Sequence, residues 1–163
     1  MAATKFRFEK PKPGDVVLCA FPPHITGPNG ERLRQRPGLI LSVLVPEGLA
    51  DDPLQVRVAY SSGNTLRVFP WELVVDPVAS PDEFRSAGIT SLTKFCLAQA
   101  VTCEYTSEWF SVPPIARYGR TPKLGEITGQ LMDNLKIAYR NVDSAPPSAR
   151  TNLYIGRGDR PRP

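Results

Sequence analysis

Three short stretches carry side chains whose types suit work on an anionic group. Arg36 opens an Arg36-Pro37-Gly38 step ahead of an apolar run. Its guanidinium offers a rigid fork of donors and keeps its proton near neutral pH. Ser61 and Ser62 close a later run, just before Gly63 and Asn64, and a hydroxyl at a strand end adds an uncharged donor. His24, the single histidine, is the one side chain that titrates near neutrality without a shift. A fixed charge, hydroxyl donors and an imidazole are side-chain types that can bind an anion and move a proton. Each residue also has a plainer use: a surface ion pair for Arg36, turn capping for Ser61 and Ser62, a solvated loop for His24. Glu31 and Asp15 are the nearest other candidates for a base.

One histidine removes two-histidine metal sites and two-histidine acid–base schemes. Cys19, Cys96 and Cys103 are odd in number and show no CxxC spacing, so they read as small buried hydrophobes in a reducing cytosol. A zinc site built from these three and His24 is met on ligand count alone, and its loose spacing argues against it. No metal and no cofactor is expected. The 163 residues suit one domain with a real core. The 18 prolines, about double the usual share, favour turns and ended strands over a helix bundle. A net charge of +4 is compatible with phosphate binding and points to it only weakly. No apolar run approaches the roughly 20 residues that a membrane span needs, and residues 1–10 lack the apolar centre of a signal peptide.

The elements that must position these side chains read as strands. Residues 15–21 (DVVLCAF) form an apolar first strand, and 22–35 a long projecting loop. Residues 38–45 (GLILSVLV) read as a central strand, and 54–60 (LQVRVAY) alternates as a half-buried one should. Shorter strands are expected at 66–69 and 71–75, and later ones at 93–97 and 100–105. Ser80-Pro81-Asp82-Glu83 starts a helical turn through Ala87 that Gly88 stops. Thr128 caps a helix through Arg140 with a stripe of Leu131, Leu135 and Ala138, flanked by Met132 and Tyr139. Residues 142–163, rich in Pro, Ser and Arg, read as a disordered basic tail behind a domain of residues 1–141. Trp71, Trp109 and Phe110 could stack on bases, although aromatic residues of a small barrel more often fill its core or a dimer interface. The pattern is mainly β, a compact SH3-like barrel with a C-terminal helix.

Three segments in this order resemble the PemK/MazF-like toxins of type II toxin–antitoxin systems. Pro13-Gly14-Asp15-Val16-Val17-Leu18 is similar to the family's opening strand, and Arg36-Pro37-Gly38-Leu39-Ile40-Leu41-Ser42 to its arginine–proline step and next strand. Val56-Arg57-Val58-Ala59-Tyr60-Ser61-Ser62-Gly63 is similar to the strand with a polar end that follows. Echoes continue in Gly88-Ile89, Thr93-Lys94-Phe95 and Lys123-Leu124-Gly125-Glu126-Ile127-Thr128, so the resemblance spans residues 13–141.

The resemblance implies a MazF/CcdB-type barrel, a cytoplasmic homodimer that inhibits growth by cutting single-stranded RNA without a metal. The 2′-hydroxyl would attack and leave a 2′,3′-cyclic phosphate, and a cognate antitoxin would hold the groove. By the same resemblance, Arg36 and Ser61 contact the scissile phosphate, Ser62 and Asn64 lie beside it, and His24 falls in the loop where one branch has a phosphate-stabilising histidine. One branch also has an arginine and an acid, two apart, on a late strand as its acid–base pair. Here that stretch reads Cys96-Leu97-Ala98, with neither group. A non-catalytic module that keeps the barrel to bind RNA or protein is therefore the competing expectation. A gyrase poison on the same kind of barrel is a third.

Overall fold

The computed structural model describes residues 8–19, 35–45 and 53–154. His24, Glu31 and nearly all of the expected 22–35 loop lie outside them. The described chain runs β1 (Asp15–Cys19), β2 (Arg36–Leu44), β3 (Gln55–Ser62), β4 (Glu72–Val75), α1 (Pro81–Ala87), β5 (Thr93–Glu104), β6 (Lys123–Glu126), α2 (Gly129–Asn141) and β7 (Thr151–Tyr154). Strands pair in the order β4-β5-β3-β2-β1-β6, antiparallel throughout, and β7 lies parallel to β5 off this path. The fold is thus mainly β, a six-stranded antiparallel half-barrel with a helix near its C-terminal end, as the strand pattern predicts. Among the described residues no helix is long and apolar enough to cross a membrane.

Why β1 and β2 read as unbroken apolar runs follows from what covers them. Val16 and Leu39 enter one core, and Val17 and Ile40 enter another on the opposite face, all fully buried. A strand covered on both faces has no solvent side to mark with polar residues. The first core lies under the helices: Leu73, Val75, Phe95 and Leu97 meet Leu131, Leu135 and Ala138 of α2. Each buried leucine contributes roughly 1.5–3 kcal/mol, so the expected stripe anchors the helix. The second core joins Val58, Val101 and Cys103 to Tyr105, Trp109 and Phe110. Phe110 reaches back to bridge Cys19.

Three expectations change. Residues 66–69 form no strand, and the chain turns there instead. The two late strands are one, β5, bent where Ala59 faces Ala100 while Tyr60 already faces Cys96. Between those points Leu97, Ala98 and Gln99 have no partner on β3, and the bend lets β5 pair with β4 on one stretch and with β7 on the other. The ordered fold also passes residue 141. Two 3-10 turns, Val142–Ser144 and Pro147–Ala149, lead into β7, and Ala145 is buried. Composition read this stretch as loose because it has little to bury. What holds it is polar: the Arg150 guanidinium donates to the carbonyls of Ala145 and Asp143. Residues 155–163 lie outside the described chain. At the end of α1, Gly88 has φ 72°, and a Cβ there would run into the Leu124 carbonyl. Only glycine suits that stop.

Candidate functional site

Arg36 is the first residue of β2 and is exposed. The ladder between β2 and β3 pairs Leu39 with Ala59 and Ile40 with Val58. Carried to the strand ends, that register sets Arg36 across from Ser62 and Pro37 across from Ser61. The described pairs begin at Leu39, consistent with a proline at 37 that has no N–H to give the ladder. Among the described residues no carboxylate forms an ion pair with Arg36.

Alternation along a strand decides which serine meets the arginine. Leu39, Ala59 and Phe95 belong to the helix-covered core, and Ser61, which pairs with Phe95, points the same way and is 8% exposed. Ile40, Val58 and Tyr60 face the second side. Arg36 and Ser62 share their parity and therefore that side, where Ser62 is half-buried. The structure thus separates the two serines: Ser62 lies with Arg36, and Ser61 is turned away.

Ser62 and Asn64 also do the ordinary work of a turn. The Asn64 amide donates to Ser62 Oγ at 3.1 Å, and the Leu66 amide to Asn64 Oδ1 at 3.3 Å. These bonds use acceptor positions only. A hydroxyl that accepts an amide still has its O–H to donate, so the turn fixes Ser62 without consuming its donor.

The same side carries groups to which the sequence reading gave no role in the site. Lys94 pairs with Ser62 across β5, Val74 of β4 pairs with Lys94, and Glu72 pairs with Cys96 one step along. Lys94 Nζ lies 3.1 Å from Glu72 Oε1, with the two side chains only 10% and 4% exposed. Cys96 Sγ donates to Glu72 Oε2 at 3.0 Å, and the Phe69 amide to Oε1 at 2.8 Å. Burial pushes the Glu72 carboxyl up, but the bonds from Cys96, the Phe69 amide and Lys94 outweigh it and hold the group below its usual range. Burial, then the Glu72 bond, pushes the Cys96 thiol up to about 12, so it is a donor and not a thiolate. The sequence did hold a signal: Lys94 and Glu72 are single charges inside apolar strand runs, and such charges are buried only with partners. Which partner each had was not readable before the register was known.

Lys94 Nζ also donates to the Arg67 carbonyl at 2.8 Å, tying down the loop after Ser62. In that loop the Phe69 and Trp71 rings stack at 4.9 Å between centroids and 2° between planes, and the Arg67 guanidinium lies 5.1 Å over Phe69. Trp109 and Phe110, by contrast, are core residues.

Cys19 and Cys103 are buried in the second core, where burial raises both thiols, Cys103 to about 12. Among the described residues no three His, Cys, Asp or Glu side chains gather as metal ligands. A groove of 410 Å³ runs between β2 and α2, lined by Pro13, Leu41, Met132, Leu135 and Tyr139 among others, and none of the candidate residues lines it.

No family model matches the sequence, and no curated protein matches it. Among solved structures the chain is similar to an endoribonuclease in complex with its cognate antitoxin from a mycobacterial species, at 16% identity and a TM-score of 0.46, over 84% of this chain and 98% of that one. It is likewise similar to a mycobacterial endoribonuclease at 17% identity and a TM-score of 0.47, over 83% and 93%. Likeness this distant says nothing about what this chain does.

Proposed function

We propose that this chain is the toxin of a type II toxin–antitoxin pair, a PemK/MazF-like endoribonuclease that cuts single-stranded RNA without a metal. The observation that carries the reading is the β2–β3 register. Carried to the strand ends, it puts the exposed Arg36 guanidinium, which pairs with no carboxylate among the described residues, across from a hydroxyl that the turn holds in place. In the proposed reaction the substrate's own 2′-hydroxyl attacks the adjacent phosphorus, the P–O5′ bond breaks, and a 2′,3′-cyclic phosphate and a 5′-hydroxyl result. One proton leaves the 2′-hydroxyl and one reaches the departing oxygen. Because the nucleophile belongs to the substrate, the protein must orient the backbone and stabilise the charge building on phosphorus. Arg36 supplies that charge, and Ser62 takes the hydroxyl role that sequence alone assigned to Ser61. Asn64 lies at the mouth of the site and orients the turn. His24 is the side chain whose pKa suits moving the protons. The protein acts in the cytoplasm as a homodimer, and a cognate antitoxin occludes the RNA-binding groove at Arg36 and Ser62, distinct from the apolar groove between β2 and α2.

A second reading has one observation in its favour. The β5 stretch at Cys96-Leu97-Ala98 offers a protonated thiol and two buried apolar side chains where one branch of the family has an acid–base pair. The Glu72 carboxylate lies beside Cys96, and its bonds to Lys94, Cys96 and Phe69 are already made. On this reading the barrel binds RNA or a protein and does not cut.

One experiment separates the two. Purified protein is incubated with single-stranded RNA in EDTA, and the 3′ ends are analysed while the same gene is induced in cells. Cyclic-phosphate ends together with growth arrest support the toxin. Intact RNA with unimpeded growth supports the binding module.

A further inference from the structure

We propose that the loop between β3 and β4 is a pre-built stacking platform for an unpaired nucleobase, formed by Arg67, Phe69 and Trp71 beside Ser62. The proposal deepens the RNA-cutting reading by naming a base subsite next to the phosphate position. Phe69 and Trp71 belong to neither hydrophobic core, although every other described tryptophan and phenylalanine of the sheet region does or packs against one. Both rings are half-buried and parallel within 2°, and the guanidinium of the exposed Arg67 lies over Phe69. Aromatic rings that serve only to fill space are drawn into a core, whereas stacked rings and guanidinium planes at a surface match the faces of bases.

The loop is also fixed at several points by polar bonds. Lys94 Nζ holds the Arg67 carbonyl, and Glu72 Oε1 holds the Phe69 amide. The Glu72 amide returns to the Phe69 carbonyl at 3.0 Å, and Asn141 Nδ2 reaches the Pro70 carbonyl at 3.1 Å. Burying the Glu72–Lys94 pair costs desolvation that an apolar pair would avoid. What the pair gives in return is a loop held in one conformation, which reduces the ordering cost of binding. Position completes the case. Lys94 neighbours Ser62 in the ladder, about 4.8 Å away by strand spacing, so the platform begins one strand from the proposed phosphate contact. The occupant is therefore a base of the same single strand whose backbone passes Arg36 and Ser62.

The test uses a short 2′-O-methyl RNA of mixed sequence, which cannot be cut, and the same oligonucleotide made abasic. Trp109 is buried, so quenching on binding reports Trp71. The mixed-sequence RNA is expected to quench, and the abasic one to bind more weakly and without quenching. Phe69→Leu keeps apolar bulk but removes the ring, and should weaken binding by on the order of 5- to 150-fold, the span that stacking on one base commands. Trp71→Phe keeps a ring and should retain affinity while losing the signal, which guards against a folding artefact. If the mixed-sequence and abasic RNAs bind alike, and Phe69→Leu binds as wild type, the platform is wrong. Cleavage of ordinary RNA by that same variant with unchanged site preference would leave the nuclease standing without it. Base-dependent quenching in a protein that cuts no RNA would uphold the platform and remove the nuclease.

Discussion

The face covered by α1 and α2 carries one continuous apolar core, with Ser61 turned into its edge, whereas the opposite face changes character along its length. That second face starts as a core of Val58, Val101, Trp109 and Phe110, and ends at the strand termini as a charged and aromatic surface of Arg36, Ser62, Lys94, Glu72 and Phe69. The helix-covered face supplies stability through its buried apolar core. At the polar end of the other face each buried charge is held by several named bonds, and among the described residues no carboxylate pairs with the exposed Arg36. Ser61 and Ser62, adjacent in sequence, fall on opposite sides of this division.

Changes that break the two faces should therefore have different signatures. The largest effect is expected from Lys94→Met, which leaves Glu72 buried beside a neutral neighbour; about 3–5 kcal/mol of stability should be lost, seen as a lower urea midpoint. Leu131→Ala on the helix-covered face should cost about 2–5 kcal/mol by the same measurement, yet leave the affinity of an uncuttable RNA unchanged. Arg36→Ala should do the reverse, lowering cleavage by about 10²–10³-fold while the urea midpoint stays put.

The pH dependence sharpens the contrast. The Glu72 carboxyl titrates below its ordinary 4.5 in the fold, so its contribution is complete above pH 4.5 and is lost as pH falls through the lower folded value. Acid titration of stability should show this limb in the wild type, and Glu72→Gln should flatten it. The smallest effect belongs to Lys12, which pairs with Glu126 at 2.6 Å but keeps a side chain 64% exposed. Lys12→Met should leave the urea midpoint close to that of the wild type, since solvent and salt screen such pairs.

Much of the fold was legible because hydrophobic runs and turn residues act locally. The stripe of Leu131, Leu135 and Ala138 and the stop at Gly88 both follow from spacing and backbone freedom. The bend that fuses two expected strands into β5 was not, because it depends on which residues of β3 and β7 lie alongside. The candidate site divides in the same way. Arg36, Ser62 and Asn64 could be picked from residue type and position, while the choice between Ser61 and Ser62 needed register and parity. Lys94 and Glu72 were visible as isolated charges in apolar strands, but their pairing is a long-range fact. So is the stacking of Phe69 on Trp71, which depends on how the chain bends through Pro70 and not on an extended strand.

The central claim, that Arg36 and Ser62 act together on one phosphate, is tested most directly by a double-mutant cycle on RNA cleavage in EDTA. The rates of wild type, Arg36→Ala, Ser62→Ala and the double variant are compared, with Ser61→Ala as the control turned to the other face. The account predicts that the two single losses fail to add and that Ser61→Ala cuts nearly as fast as wild type. Fully additive losses, or a larger loss from Ser61→Ala than from Ser62→Ala, would contradict it.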